Sequence, residues 1–330
     1  MKRWSSLVFL MAMSAACSPD FERPSEVLDF RILAVQVEPP EYIYKVSLDE
    51  SGMPEIDMAA LSIPAARVTV LVSNPLAPDS PFEYVVEGCN LDTNLACVED
   101  DARLEYGSGT AVPEVFEVPV VLGLEQITAA FTGDPFFGVY GAASWIAGQL
   151  TYQEEEIAFL KAFVLSPDYG QGRVPNTNPR IAGILTGEKG QEVPLPLDAD
   201  AVFQADSSEE YRLSASFPEG TRETYVVKAV DLSVVAAQDE VDFAAIWKNA
   251  YDKELTEELN VDFYGTCGVF SDDRKSESLN VAFESEKDKD NKDLSVTWTA
   301  PDEPVPCTLW FVAGDSRGGV GWYRLSVNIK

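Results

Sequence analysis

Apolar and polar side chains alternate with a period of two along much of this chain. In the first half, alternation or a short apolar run predicts strands over residues 30–37, 67–72, 82–87, 115–121 and 156–165. A second series begins near Arg180 and predicts strands over residues 211–217, 259–263, 279–283, 294–299, 307–313 and 322–329. Strands repeated at this spacing are typical of antiparallel sandwiches. The sequence therefore predicts an all-β protein.

Helices are expected at only one or two places. A short helix is predicted over residues 124–131, because Gly133 and a proline at position 135 stop it soon afterwards. The acidic and aromatic segment 239–259 has room for a second short helix. Residues 138–148 are rich in Gly and Ala and fit neither period.

The domain organisation follows from where turn-forming residues concentrate. Residues 166–178 combine Pro, Gly and Asn between the two strand series, which is typical of a linker. A length of 330 residues also suits two domains. The predicted fold is two Ig-like antiparallel β-sandwich domains in tandem, over residues 27–165 and 179–330.

The first 16 residues have the pattern of a signal peptide. Lys2 and Arg3 precede an apolar run over residues 7–13, which is too short to span a bilayer. Cys17 stands where lipoproteins carry their lipid, although Ser14 occupies a position that is usually Leu. We predict lipidation of Cys17, followed by a tether over residues 17–26.

The alternative is an ordinary signal peptide cleaved near Ala16, which would leave Cys17 as an incidental thiol. With lipidation, the partner of the N-terminus is a membrane. Ser18 carries no inner-membrane retention feature, so an outer-membrane lipoprotein of the cell envelope is expected.

Five cysteines leave one without a partner in an exported protein, and a lipidated Cys17 accounts for it. The other four allow three pairings. Cys89 and Cys97 flank a polar, turn-rich loop. Cys267 and Cys307 continue the inward positions of two strands expected to be antiparallel neighbours. We predict the disulfides Cys89–Cys97 and Cys267–Cys307, one in each domain.

Charge and composition exclude several functions. The chain has 24 Lys and Arg against 55 Asp and Glu, a formal net charge of −31, which argues against a nucleic-acid partner. It has no histidine, which excludes catalytic triads and zinc sites that need imidazole. No nucleophile elbow, phosphate-binding loop or dinucleotide fingerprint is present. We therefore expect no cofactor, no metal and no enzymatic activity.

Two acidic segments, at positions 272–273 and 284–293, raise the question of calcium. An EF-hand loop starting at Asp288 would need Gly at its sixth place, where Asp293 stands. A solvated hairpin tip is the expected role of the longer segment, and a calcium site of another type is the alternative. Among so many carboxylates, no pair stands out for glycoside hydrolysis.

Tryptophans are the remaining candidates for ligand contact. By alternation Trp310 points outward from its strand, so with Trp298 and Trp322 it could form a face on which a sugar stacks. The alternative is that these rings pack in the core or cover one sheet.

Three stretches together resemble predicted lipoproteins of myxobacteria and related deltaproteobacteria. They are residues 31–41, the restart at 178–180 and the C-terminal stretch 309–322. Residues 294–301 and the last hairpin are also similar to PKD or fibronectin-type modules. The resemblance implies an envelope lipoprotein with Ig-like domains, and it transfers no catalytic residue.

Three classes of function remain open. The first is a lipid-anchored, non-enzymatic module that binds a protein or glycan at the envelope. The second is a structural spacer with no specific ligand. The third is a hydrolase with unidentified carboxylates. A binding module should show an exposed aromatic or apolar patch, and a spacer should show none. A hydrolase should have a deep pocket that holds carboxylates with perturbed pKa values.

Overall fold

The computed structural model describes residues 23–89, 97, 103–133, 138–229, 243–277 and 293–330, and these are mostly β-strand. The first half contains ten strands among its described residues: β1 (Arg31–Glu38), β2 (Glu41–Lys45), β3 (Ser47–Leu48), β4 (Pro54–Glu55), β5 (Ala66–Ser73), β6 (Phe82–Cys89), β7 (Glu105–Ala111), β8 (Glu114–Val120), β9 (Ala142–Tyr152) and β10 (Glu155–Asp168).

The described part of the second half contains twelve further strands: β11 (Gly183–Thr186), β12 (Val193–Pro194), β13 (Val202–Ala205), β14 (Glu210–Ser216), β15 (Thr224–Ala229), β16 (Tyr251–Thr256), β17 (Leu259–Gly265), β18 (Val269–Phe270), β19 (Arg274–Ser276), β20 (Ser295–Thr299), β21 (Pro306–Asp315) and β22 (Val320–Ile329). Both expected helices are present, as α1 (Leu124–Gly133) and α2 (Phe243–Lys248), and a 3₁₀ turn lies at Met58–Ala60.

The first half forms a sandwich of two sheets. One sheet has the order β1-β5-β8 and the other β2-β10-β9-β6-β7. Alternation in β8 shows how the sequence builds the core, since Phe116 and Val118 are buried while Glu117 between them is exposed. Phe82 and Phe163 fill the space between the two sheets.

The second half forms another sandwich, with sheet orders β12-β11-β14-β20-β18 and β13-β22-β21-β17-β19. The predicted neighbours β17 and β21 pair antiparallel, from Leu259 opposite Asp315 to Gly265 opposite Leu309. Trp298 is fully buried between these sheets. Two tandem sandwiches, as predicted, therefore make up the described chain.

Strand β9 arises from a segment that alternation did not predict to be a strand. Residues 138–148 fitted no period, yet they lead into β9, which lies between β6 and β10. Its Ala and Gly residues have weak strand preference, so the pairing on both sides determines their conformation. Strand β6 lies inside the sheet, between β9 and β7. The strand predicted at 279–283 falls outside the described residues.

The two sandwiches pack face to face through an apolar layer of their own. Leu33 and Leu71 on the outer face of β1 and β5 meet Trp310 and Val312 on the outer face of β21, with Trp322 beside them. Strand β5 is consequently buried on both faces at almost every position. The four sheets of the two sandwiches thus form four successive layers with three apolar interiors.

Segments expected to be loose are bonded to the body. Strand β10 continues to Asp168, three residues into the predicted linker, and Asn176 is 1% exposed. Residues 23–26 were predicted to end the tether, yet Glu26 bridges to Gly265 of the second sandwich. The Val27 amide donates to the Gly265 carbonyl and the Arg23 side chain to the Phe270 carbonyl, both at 2.9 Å.

Residues 1–22, including the predicted signal peptide and Cys17, lie outside the described residues. Among the residues that are described, no helix has the length and apolar character needed to cross a membrane.

Candidate binding cleft between the two sandwiches

Both predicted disulfides are confirmed. Cys89 and Cys97 are bonded with a Cα–Cα distance of 5.4 Å, and Cys267 and Cys307 with a Cα–Cα distance of 5.6 Å. The second bridge follows from the β17–β21 register, which ends at Gly265 opposite Leu309 and brings the next inward positions together. Disulfides of this kind are typical of proteins that fold in an oxidising compartment.

Trp310 does not present a ring to solvent, so the expectation that it stacks a ligand is wrong. Alternation correctly placed it on the outer face of β21, but β1 and β5 of the first sandwich cover that face. Its side chain is 3% exposed, and its Nε1 donates to Glu114 across the interface at 3.2 Å. Trp298 lies in the core and Trp322 beside Trp310.

The acidic segments form no metal-binding site within the described residues. Asp272 pairs with Lys275 at 2.9 Å. Most of segment 284–293 lies outside the described residues. Within those residues, no group of three or more His, Cys, Asp or Glu side chains is arranged to hold a metal.

A cleft of about 990 Å³ lies where the two sandwiches meet. The first sandwich supplies α1, the start of β9 and the end of β10, and the second supplies β15 and the turn between β21 and β22. Its lining combines aromatic, small and charged side chains, among them Tyr140, Trp145, Tyr225, Ala129, Ala143, Glu41, Arg173 and Arg317.

Glu41 lies at the wall of this cleft and is fully buried. It is the first residue of β2, directly after the two prolines that separate β2 from β1. Its Oε1 accepts from the Ser166 hydroxyl and from Arg173 at 2.7 Å, and its Oε2 accepts from the Asn176 amide at 2.8 Å and from Arg317. One carboxylate thus joins β2, β10, the predicted linker and the second sandwich.

Arg317 of the second sandwich is the cation that pairs with Glu41, and these two residues and their charged partners form a buried cluster. The Nη1 of Arg317 donates to Glu257 at 3.0 Å and to Glu223 at 3.1 Å, and its Nη2 donates to Glu41. The guanidinium carbon lies 4.6 Å from the ring centroid of Tyr225, a cation–π contact. The side chain is 3% exposed, so these partners replace its water.

The turn between β21 and β22 aims Arg317 into the cluster. The Oδ1 of Asp315 accepts from the backbone amides of Arg317 and Gly319, both at 2.8 Å. Gly318 has φ +93°, a conformation that favours glycine. Asn176 donates from its side chain to Asp315 at 3.2 Å, which fixes the turn against the predicted linker.

Burial and charge set the protonation of the cluster. Burial, followed by the charge of Asp315, raises the pKa of Glu257 in spite of Arg317. Burial alone would lower the pKa of Arg317, but the charges of Glu41 and Glu257 outweigh it and the pKa is raised. Burial lowers the pKa of Lys161, which donates to the Gly318 carbonyl at 2.8 Å.

With every group ionised, the cluster carries four carboxylates and three cations. The carboxylates are Glu41, Glu223, Glu257 and Asp315, and the cations are Arg173, Arg317 and Lys161. The carboxylates accept hydrogen bonds from guanidinium, amide and hydroxyl donors.

Two buried donors behind the cleft wall have no hydrogen-bond partner within the described residues. They are the Nε atoms of Arg173 and Arg317, both fully shielded from solvent. The Arg173 side chain is 8% exposed. A buried donor without a partner is costly, since it has lost its water and gained nothing.

The β15–β16 hairpin forms an arm that closes one side of the cleft. Among the strands that the structure describes, these two pair only with each other, and α2 lies between them in sequence. Trp247 of α2 donates to the Gly52 carbonyl at 2.9 Å, and its ring centroid is 5.2 Å from that of Tyr169. The hairpin and α2 thus belong to the second half of the chain, but α2 packs against the first half.

Sequence reasoning identified none of these cleft residues. Glu41 is a single acid after two prolines, and Arg317 is a single arginine in a glycine-rich turn. Neither belongs to a spaced motif. The available indication was the pairing of an isolated Arg with the turn-forming Asp315, which is common in surface turns.

No protein-family model matches this chain, and no curated protein matches it. The chain is similar to a chimeric titin Z1Z2–Z1Z2 tandem carrying an exogenous GRGDS peptide from fibronectin, at 6% identity over 91% of this chain and 99% of that one, with a TM-score of 0.21. It is similar to the N-terminal Ig1-2 module of the Drosophila receptor protein tyrosine phosphatase DLAR, at 10% identity over 92% and 99%, with a TM-score of 0.23.

It is also similar to the Yersinia pseudotuberculosis adhesin InvE, at 10% identity over 89% of this chain and 58% of that chain, with a TM-score of 0.18. Scores of this size do not carry an argument about function. The fold assignment rests on the sheets and disulfides described above.

Proposed function

We propose that this chain is an exported, non-enzymatic binding module of the cell envelope, anchored by a lipid on Cys17. Its ligand, a protein or a glycan, is taken in the cleft between the sandwiches. The observation that carries the proposal is the cleft itself, because its volume of about 990 Å³ and its place at a domain interface are typical of ligand sites.

The walls of the cleft are held in place before any ligand arrives. The apolar layer around Trp310 fixes the sandwiches face to face, and the Glu41–Arg317 pair fixes the turn that lines the cleft. Fixed walls reduce the ordering cost of binding. This arrangement suits recognition better than a flexible connection between two domains would.

Catalysis is a weaker proposal. Glu41 lines the cleft, Glu257 and Asp315 are buried in the same cluster, and each accepts bonds from arginine or from the backbone. These bonds use the carboxylates to hold the walls, whereas a hydrolase needs an acid and a base facing a bond to be cleaved.

The anchor is tested by replacing Cys17 with alanine. The variant should move from the membrane fraction to the soluble fraction, and only the native chain should incorporate labelled palmitate. A variant that stays in the membrane, together with a native chain that takes up no label, would exclude lipidation.

The cleft is tested by filling it. Ala143→Trp places a large ring in the cleft, while Ala65→Trp makes the same change at an exposed position away from it. Binding of the native chain to isolated envelope fractions should be lost in A143W and kept in A65W. Equal binding by both variants would show that the cleft is not the binding site.

A rigid spacer without a ligand is the second candidate, because the apolar interdomain layer is also what a stiff rod requires. For a spacer, A143W should leave cells unaffected as long as the protein folds. Loosening the interface at Trp310 should instead impair function.

A further inference from the structure

We infer that strand β7 is a docking edge for an extended, basic segment of a partner protein, which it adds to its sheet as a further strand. No residue of β7 lines the cleft, so the inference goes beyond the proposed function. It is drawn from the pairing of β7, the residues along its edge and the side chains on the two faces beside it.

Strand β7 is the last strand of the five-stranded sheet in the first sandwich. Within the described part of the chain it pairs only with β6, and the pairing is regular from Gly107 to Ala111. Every second residue of an edge strand in an antiparallel ladder directs both its N–H and its C=O away from the sheet. These groups can bond to the backbone of an added strand.

The regular part of β7 lacks the features that usually protect an edge. Natural edge strands carry charges or prolines that discourage pairing with another chain. Strand β16 has this protection, because residues 252–254 are three consecutive exposed charged residues. Residues 107–111 contain neither a charge nor a proline, and Ser108 and Thr110 among them are exposed. The edge is therefore open to an extended chain.

The outer face of the sheet beside this edge is acidic. Cross-strand pairing places Thr110 of β7 beside Glu83 of β6, and Glu156 of β10 continues the same row. Glu83 is exposed and has no ion-pair partner within the described ranges. Glu105 adds an exposed carboxylate on this face at the start of β7. Lysine or arginine side chains on an added strand would face these carboxylates across the small side chains of β7.

The inner face of β7 suits apolar side chains of the added strand. Gly107 and Gly109 occupy its inward positions, and Tyr84 of β6 is opposite Gly109. The Tyr84 ring is half-buried, and its centroid lies 4.7 Å from that of Phe116 in the core. Because the glycines carry no side chain, an inward residue of the added strand would lie beside Tyr84 at the rim of the core. The expected partner segment therefore alternates basic and apolar residues.

A second copy of this chain is a poorer match than a basic partner. Two copies joined along β7 would bring together two chains that each carry a net charge of −31. The same charge attracts a basic segment from a distance and raises its rate of association.

The test uses the full-length protein in detergent and fluorescently labelled peptides of seven residues. The probe alternates Lys and Val, with both ends blocked, and fluorescence anisotropy at low ionic strength gives its affinity. It should bind, and a peptide that alternates Glu and Val should bind more weakly by about tenfold or more.

Backbone methylation separates strand addition from charge attraction alone. A Lys–Val peptide methylated at every backbone nitrogen keeps its side chains and charges but has no N–H donors. Its affinity should fall about tenfold, because the hydrogen bonds to the edge of β7 are lost. Equal affinity for the methylated and unmethylated peptides would overturn the inference.

Thr110→Lys is the decisive variant, because it places a cation at an exposed position between the peptide and Glu83. It should weaken binding of the Lys–Val peptide about threefold. Gln191→Lys is the matched control, since it adds the same charge at an exposed position of the second sandwich and should leave the affinity unchanged. Glu83→Gln should also weaken binding, and it serves if the lysine variant does not fold.

Four results would each contradict the inference. Equal affinity for T110K and Q191K would show that the peptide does not bind at β7. Tighter binding of the Glu–Val peptide would exclude a basic partner. Loss of Lys–Val binding in A143W but not in T110K would place the peptide in the cleft. A native dimer that T110K dissociates in sedimentation would show that a second copy occupies β7.

Discussion

Replacing Trp310 with alanine would test whether the two sandwiches are stabilised by the layer between them. The native side chain is 3% exposed, packs in the cluster with Leu33 and Leu71, and donates to Glu114. Burying a tryptophan removes roughly 150–250 Å² from water, and at ~25 cal/mol/Å² this corresponds to about 4–6 kcal/mol as an upper limit. Large-to-small changes of this kind cost about 3–5 kcal/mol in measured series.

Urea unfolding followed by circular dichroism would measure the change. W310A should lower the free energy of unfolding by about 3–5 kcal/mol, which is a large share of the 5–15 kcal/mol typical of a native protein. Trp310→Phe keeps a ring but loses the bond to Glu114, so it should cost about 1–2 kcal/mol. Tyr251→Ala is the matched control, because Tyr251 is 49% exposed and its loss should cost under ~1 kcal/mol. A cost for W310A no larger than that for Y251A would refute the interdomain role.

Three further predictions concern the bridge, the cluster and the connection. Cys307→Ser opens the 40-residue loop and should lower the free energy of unfolding by about 3–4 kcal/mol in the chain-entropy model. The variant should therefore melt at a lower temperature than the native, disulfide-bonded chain. Because burial raises the pKa of Glu257 above 4.5, the folded chain binds that proton more tightly than the unfolded chain. The native free energy of unfolding, relative to Glu257→Gln, should therefore fall as the pH rises above 4.5; a constant difference would contradict this. Trypsin should leave the bond after Arg173 intact in the native protein, since the Arg173 side chain is 8% exposed, and early cleavage there would contradict its burial.

The sequence predicted which face of a strand a side chain lies on better than it predicted whether that face is exposed to solvent. Alternation assigned Trp310 to the outer face of β21, and the structure agrees on the face. It disagrees on exposure, because a second sandwich lies against that face, and period-two patterning describes one strand at a time. The continuous burial of β5 is the same effect seen from the first sandwich.

The cleft was out of reach for a related reason. Its residues come from β2, the predicted linker and the β21–β22 turn, and Glu41 and Arg317 are separated by 276 positions. No local motif encodes such a pair. The disulfide between Cys267 and Cys307 was predictable because both residues continue regular strands whose register follows from antiparallel pairing.

The bonding of residues 23–27 to the second sandwich has a mechanical consequence. A pull on the chain upstream of Arg23 reaches the bonds between this segment and Gly265 before it reaches β1. Tension from an anchor would therefore load the C-terminal sandwich first, which the Cys267–Cys307 bridge reinforces beside the attachment. The first sandwich would feel the load only after that short segment had peeled away, so the order of the sandwiches along the line of force is the reverse of their order in sequence.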